Sequence, residues 1–115
     1  MLKSKQKELF INQNKIIELI KNNFNINKIY LFGSYARGDN DSDSDIDIYI
    51  TLNEEILSLE EYTKLTYAIR KALINAKLYR RMDLLLNSQK QFDNKKRTNG
   101  NIEYIINKEG VILYE

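Results

Sequence analysis

The sequence predicts a small mixed α/β (α+β) domain in which helices flank a short sheet. Three observations predict this fold class. Apolar residues recur at helical spacing in three segments, runs of strand length rich in β-branched and aromatic residues lie between them, and glycines or polar loops separate the two kinds of element. Because the chain has 115 residues, we expect a single domain over residues 1–115 with at most one active site.

The N-terminal part predicts an amphipathic helix followed by a strand. Residues 5–22 carry apolar side chains at helical spacing, with Lys, Glu and Asn between them. The apolar positions of this pattern are Leu9, Ile16, Ile17, Ile20 and Phe24. Residues 28–32 then predict a strand that stops at Gly33, where we expect a turn and the first turn of a short helix.

Residues 45–50 alternate between polar and apolar side chains, which is the two-residue period of a half-buried strand. Its three isoleucines are expected to face the core, whereas Asp45 and Asp47 share the opposite face. Asp is a poor strand former, so this placement of two carboxylates is uncommon. The polar residues 39–44 that precede the strand are expected to form a loop.

The middle of the chain predicts a second helix and a third strand. Ser58 and Glu61 have the spacing of a helix-capping box. Apolar residues at helical spacing follow and predict a helix over residues 59–76. Residues 78–86 predict a strand, and Asp83 interrupts its apolar run.

The C-terminal part predicts one more helix and a short strand. Helical spacing covers residues 99–108, and Gly110 follows as the expected C-cap. Residues 111–114 are then predicted to be a strand. The chain has no internal repeat, linker or low-complexity tract, which agrees with a single domain.

Composition restricts the chemistry that the chain can perform. It contains no cysteine and no histidine, so disulfides, thiolate metal sites and histidine acid-base chemistry are excluded. Acid-base and metal chemistry must then use carboxylates, which select hard cations such as Mg²⁺ or Mn²⁺. No apolar run reaches the length of a membrane span, and the N-terminus lacks the apolar core of a secretory signal, so we expect a cytoplasmic protein.

The charge balance gives little support for binding to nucleic acid. The formal net charge is +2, and the basic residues are scattered apart from clusters at residues 80–81 and 95–97. Each cluster is more typical of a solvated face than of a phosphate-binding surface.

Gly33 and Ser34 lie where a strand gives way to a turn. Glycine allows a phosphate to approach the backbone closely, and the serine hydroxyl and free amides at a helix start can donate hydrogen bonds to it. Taken alone, this pair is more typical of a structural turn.

Three carboxylates predict a metal site. Asp45 and Asp47 are two apart on a strand, so their like charges repel unless a cation lies between them; a solvated outer face is the alternative. Asp83 favours the metal site over the solvated face, because burial of a carboxylate in an apolar strand is unfavourable unless the carboxylate is paired or bound to a metal ion. If the two strands are neighbours, the three side chains can hold two Mg²⁺ ions about 3.5–4 Å apart.

A calcium-binding loop is the competing interpretation of the acidic segment that starts at Asp39. Such a loop needs glycine at its sixth position and glutamate at its twelfth. Counting from Asp39 or from Asp41, neither requirement is met. The acids of residues 39–43 are therefore expected to be polar loop residues.

These motifs resemble those of the DNA polymerase beta superfamily of nucleotidyltransferases. The resemblance rests on Gly33 and Ser34, the spacer of ten residues, Asp45 and Asp47, and a third Asp at position 83. Within the superfamily, the short chain is most similar to the minimal nucleotidyltransferase (MNT) antitoxins that accompany HEPN-domain toxins. The resemblance covers most of the chain and implies the polymerase-beta-like fold.

The resemblance also implies an activity, in which AMP is transferred from ATP to a tyrosine hydroxyl of the partner toxin, in a hetero-oligomer with it. Gly33 and Ser34 would hold the β- and γ-phosphates. Asp45 and Asp47 would bridge two Mg²⁺ ions, for which Mn²⁺ can substitute. Asp83 would bind the ion beside the incoming hydroxyl or accept its proton. Arg37 would contact the triphosphate or form a surface salt bridge instead.

Two other functions stay open at this point. The chain could neutralise its partner by contact alone, since it has no added domain to bind an acceptor. It could instead transfer nucleotides to the 3′ end of a tRNA, which the weak net charge disfavours. The sequence does not specify the acceptor, the base preference, the number of nucleotides transferred or the oligomeric state.

Overall fold

The computed structural model describes residues 7–115. In this part of the chain, five helices and four strands follow one another in mixed order, and none of the helices is long and apolar enough to cross a bilayer. The elements are α1 (Gln13–Asn23), β1 (Ile26–Phe32), α2 (Gly33–Arg37), β2 (Ile46–Leu52), α3 (Leu59–Asn75), β3 (Met82–Ser88), α4 (Gln89–Lys95), α5 (Ile102–Glu109) and β4 (Val111–Tyr114).

The strands form one mixed sheet in the order β3-β2-β1-β4. β1 is antiparallel to both β2 and β4, whereas β2 and β3 are parallel, with α3 as the crossover between them. This arrangement confirms the predicted α+β fold class. It also confirms that the strand with Asp83 lies beside the strand with Asp47.

The main core lies on one face of the sheet, against α1 and α3. The three isoleucines of β2 are almost fully buried there, as their alternation predicts. The expectation that β2 is half-buried is wrong, because Tyr49 and Thr51 on its other face are buried as well. Asp47 is the one residue of β2 that is not buried.

A second, smaller core covers the other face of the sheet. The Phe92 ring from α4 stacks on Tyr30 at 4.8 Å between centroids and meets Tyr49 edge-on at 5.3 Å. The Tyr49 hydroxyl donates a 2.7 Å hydrogen bond to the carboxylate of Glu103, which is buried in α5. This core leaves the Asp47 end of the face uncovered.

The N-terminal helix begins later than its apolar spacing predicts. Residues 7–12 are not helical, so the prediction for them is wrong, and residues 5–6 lie outside the described part of the chain. Asn12 has a left-handed backbone conformation (φ 65°), which turns the chain just before α1. The buried Gln13 side chain accepts a 2.7 Å hydrogen bond from the Leu9 amide and holds this turn in place.

Helix α3 confirms its prediction closely. The Ser58 hydroxyl accepts a 3.1 Å hydrogen bond from the Glu61 amide, which is the N-cap contact of a capping box. After α3, the strand predicted from residue 78 begins only at Met82. Lys77 adopts a left-handed conformation (φ 59°), and the Leu78 amide bonds back to the Leu73 carbonyl, so these residues terminate the helix.

Side chains of α3 cover the outer edge of β3. The Arg70 guanidinium donates a 3.0 Å hydrogen bond to the Met82 carbonyl. The Leu86 amide donates to the Tyr62 hydroxyl at 3.3 Å. Backbone groups of this edge strand are thus bonded within the domain rather than left open.

Candidate functional site

Two carboxylates meet across the parallel pair of strands. Asp47 of β2 lies directly opposite Asp83 of β3, and the two carboxyl groups are close enough to share a hydrogen bond when one of them is protonated. Burial, followed by this hydrogen bond and the negative charge of Asp83, raises the pKa of Asp47 from 3.8 to about 6. A smaller contribution comes from Asp45, and the Arg37 guanidinium opposes the shift.

Gly33 brings the first turn of α2 against this pair. In the β1–β2 ladder Phe32 lies opposite Asp47, so the next residue of the chain passes directly over the Asp47 carboxylate. A Cβ atom at position 33 would collide with that carboxylate. The backbone there also has φ +72°, a conformation that side chains rarely adopt. Both conditions require glycine at this position.

Ser34 lies in the first turn of α2, next to Gly33. Its carbonyl accepts hydrogen bonds from the Gly38 and Asp39 amides at 2.9 and 3.1 Å, which close this short helix. The Ser34 hydroxyl forms no hydrogen bond with any other described residue. The predicted short helix after β1 is confirmed, and it carries the serine beside the two carboxylates.

Asp45 is held by a cation instead of joining the carboxylate pair. It lies one residue before β2, level with Arg81, the residue before β3. The Arg81 Nε atom donates a 2.9 Å hydrogen bond to Asp45 Oδ1, and its terminal nitrogen donates to the Asp43 carbonyl at 3.0 Å. Arg81 is largely solvent-exposed, as expected for the basic cluster at residues 80–81, and in addition forms this ion pair with Asp45.

The donor set fits a hard divalent cation in its chemistry. All the candidate ligands are carboxylates, and the chain has no histidine or cysteine. Within residues 7–115, however, no group of three acidic, histidine or cysteine side chains is arranged to hold a metal ion. Asp47 and Asp83 touch, while Asp45 lies against Arg81. A metal site formed by all three carboxylates stays a prediction. It requires that Asp45 release Arg81 and bind the metal ion instead.

Arg37 ends α2 and is exposed to solvent. It forms ion pairs with Asp39 at 3.2 Å and with Glu109 of α5 at 3.7 Å. The hydrogen bond to Asp39 and the charge of that carboxylate raise the pKa of Arg37. Its charge is also close enough to Asp47 to lower the pKa of that carboxyl. Contact of Arg37 with a triphosphate stays a prediction.

The acidic loop before β2 stabilises its own turn. The Asp41 carboxylate accepts hydrogen bonds from the Asp43 amide at 2.9 Å and from the Ser44 hydroxyl at 3.2 Å. The Ser44 hydroxyl in turn accepts a hydrogen bond from the Asp41 amide at 2.9 Å. These contacts agree with polar loop residues rather than a calcium-binding loop.

Comparison with known families decides the identity of the fold. The sequence model of the family described as "Polymerase beta, Nucleotidyltransferase" matches residues 14–115. The chain belongs to the polymerase beta nucleotidyltransferase family. Its match covers every candidate site residue, from Gly33 to Asp83. No curated protein sequence matches the chain.

Solved structures with a similar fold include proteins of toxin-antitoxin systems. One is a toxin-antitoxin structure with AMP-PNP, which is 26% identical to this chain. The match covers 90% of this chain and 73% of the solved chain, with a TM-score of 0.60. The mutant toxin-antitoxin MntA-HpeT is 25% identical, covers 91% and 73%, and has a TM-score of 0.59. A tri-AMPylated Shewanella oneidensis HEPN toxin in complex with MNT antitoxin is 24% identical, covers 93% and 72%, has a TM-score of 0.51, and shows similarity of fold alone.

Proposed function

We propose that this nucleotidyltransferase is an antitoxin that transfers AMP from ATP to a tyrosine hydroxyl of a partner HEPN-domain toxin and thereby inactivates it. The observation that carries the proposal is the contact between Asp47 and Asp83, with Gly33 directly over Asp47. This arrangement concentrates negative charge beside a backbone turn suited to phosphate.

The relatives support the choice of nucleotide and acceptor. A relative with 26% identity is a toxin-antitoxin with AMP-PNP, an ATP analogue. Another protein of the same fold is an MNT antitoxin in complex with a HEPN toxin that carries AMP groups. We therefore infer that the acceptor is a HEPN toxin bound to this chain in a hetero-oligomer.

Each candidate residue has a role in the proposed reaction. Gly33 and Ser34 bind the β- and γ-phosphates, and Arg37 adds positive charge to the triphosphate site. Asp45, Asp47 and Asp83 would hold two Mg²⁺ ions, or Mn²⁺ in their place, which would neutralise the charge of the triphosphate. That list of ligands contains no neutral side chain, as expected for hard cations.

The transfer step itself needs a base and a leaving group. A carboxylate oxygen of Asp83 accepts the proton of the tyrosine hydroxyl, since the chain has no histidine to do so. The tyrosine oxygen forms a bond to the α-phosphorus of ATP. The bond from that phosphorus to the bridging oxygen breaks, and pyrophosphate leaves with the electron pair.

Transfer can be tested with the purified chain, Mg²⁺, a candidate HEPN-domain toxin from the same genome and ATP labelled at the α-phosphate. We expect label on the toxin, and no label when the γ-phosphate carries it. Asp83→Asn should abolish labelling, whereas the matched control Asp43→Asn, in the exposed loop, should retain it. Absence of label with the wild-type chain at saturating ATP, or label from the γ-phosphate, would contradict the proposal.

Neutralisation by contact alone is the second candidate, and one observation favours it. The ion pair between Asp45 and Arg81 occupies a carboxylate that the transfer reaction needs. Inhibition of the toxin by Asp83→Asn at the wild-type level would favour contact alone. Loss of inhibition together with loss of labelling would favour transfer.

A further inference from the structure

Arg81 contacts Asp45, one of the three candidate metal ligands, and has no part in the reaction proposed above. It lies just before β3, two residues before Asp83. Its guanidinium is held at two points, by the Asp45 carboxylate at 2.9 Å and by the Asp43 carbonyl at 3.0 Å. This double contact holds the guanidinium against Asp45, the residue just before β2.

The contact makes Arg81 a competitor for any cation that uses Asp45. A carboxylate that accepts a hydrogen bond from a guanidinium and is neutralised by it is a weaker ligand for a divalent ion. The pair is partly exposed, with 68% of the Arg81 side chain and 40% of the Asp45 side chain accessible. A metal ion can therefore replace Arg81 at Asp45, because exposed ion pairs are weak.

A cavity lined by basic residues lies beside Asp45 and can receive the Arg81 guanidinium after it leaves that carboxylate. The cavity has a volume of about 430 Å³ and is lined by Lys77, Arg80 and Arg81 together with the hydroxyl groups of Ser42 and Ser44. Neither Lys77 nor Arg80 forms a salt bridge with any described residue. A guanidinium that left Asp45 would meet like charges there, unless a phosphate group entered with it.

We infer that Arg81 is a positioning residue that holds Asp45 until a phosphate arrives, and then moves from the carboxylate to that phosphate. Divalent cations alone would bind weakly, and a cation carried by a nucleotide phosphate would bind well. This inference rests on the proposed function for the nature of the phosphate ligand. It couples the two binding events through one side chain.

The first test measures Mn²⁺ binding without nucleotide or toxin, by the loss of the free-ion electron paramagnetic resonance signal. Arg81→Ala should bind Mn²⁺ about three- to fivefold more tightly than wild type, the range for a partly exposed ion pair. The matched control Arg80→Ala removes the same charge from the same cavity and should change affinity by less than about twofold. Arg81→Lys keeps a cation and should remain near wild type.

A second test connects the effect to Asp45 and to phosphate. In an Asp45→Asn background, Arg81→Ala should no longer change Mn²⁺ affinity. Binding of AMP-PNP in the presence of Mn²⁺ should instead weaken about three- to fivefold in Arg81→Ala. Arg81→Ala should therefore shift the two affinities in opposite directions, which loss of a merely structural contact would not do.

Several results would overturn the inference. Two of them concern Mn²⁺ affinity: equal affinities in Arg81→Ala and Arg80→Ala, and a change of affinity by Arg81→Ala that persists without the Asp45 carboxylate. The other two are unchanged AMP-PNP binding in Arg81→Ala and no Mn²⁺ binding by any variant. These measurements use neither toxin nor transfer. If AMP transfer to the toxin failed, Arg81→Ala should still shift the Mn²⁺ and AMP-PNP affinities in opposite directions. Failure of the proposed function and failure of this inference can therefore be told apart.

Discussion

Asp47→Asn is expected to stabilise the metal-free protein while abolishing transfer. The substitution keeps the size of the side chain and lets its amide donate a hydrogen bond to Asp83, but it removes one of two carboxylates in contact. A site that holds like charges together for function is less stable than its neutral form. The repulsion between Asp47 and Asp83 should therefore appear as a measurable loss of stability in the wild-type chain.

The pKa of Asp47 sets the size and the pH range of this effect. A rise from 3.8 to about 6 corresponds at most to about 3 kcal/mol. Because the carboxylate is partly exposed and screened by solvent, we discount this to about 1 kcal/mol, or about 4 °C in Tm. Protonation of Asp47 stabilises the folded state fully below about pH 4, and this contribution is lost as pH rises through about 6. The advantage of Asn should thus be largest at about pH 8 and smallest near pH 4.

Urea denaturation followed by circular dichroism, in EDTA, measures the free energy of unfolding at both pH values. Addition of Mg²⁺ together with AMP-PNP should stabilise wild type more than Asp47→Asn, because the ion and nucleotide bind the folded wild-type site. Asp43→Asn is the control, with a change below about 0.5 kcal/mol as expected for an exposed loop. If Asp47→Asn were less stable than wild type in EDTA at about pH 8, the argument from charge repulsion would be refuted.

Three further substitutions test other parts of the site and its support. Gly33→Ala should lose about 1–3 kcal/mol and bind AMP-PNP poorly, as denaturation and calorimetry would detect, because its Cβ collides with the Asp47 carboxylate. Tyr49→Phe should cost about 1–3 kcal/mol in urea denaturation, since it leaves the buried Glu103 carboxylate without its hydroxyl donor. Arg37→Ala should weaken AMP-PNP binding about fivefold in calorimetry; unchanged binding would mean that Arg37 serves only its ion pairs.

The carboxylate pair could be predicted from the sequence because local rules apply to each half of it. Alternation places Asp47 on one face of its strand, and a lone acid in an apolar run makes Asp83 conspicuous. Their contact depends on a parallel pairing across α3, which no local pattern specifies. The parallel pairing places Asp83 opposite Asp47, but Asp83 is exposed rather than buried in its strand, and the metal site itself stays a prediction.

The Arg81 contact and helix α4 could not be predicted from the sequence, and each has a physical reason. Arg81 belongs to a basic pair that resembles a solvated surface, and its contact with Asp45 depends on the same nonlocal register. Helix α4 was missed because seven residues with Phe92 as the single apolar anchor show no helical period. Its N-cap, Ser88, is a weak signal without that period.

The bonds from α3 to the edge of β3 limit how this protein can associate with others. A strand from another molecule that joined the sheet on that side would have to displace both Arg70 and Tyr62 from the main chain. Growth of the sheet into a continuous intermolecular array is thereby opposed at this boundary. The opposite boundary of the sheet is β4, so strand addition meets less obstruction from these two side chains there.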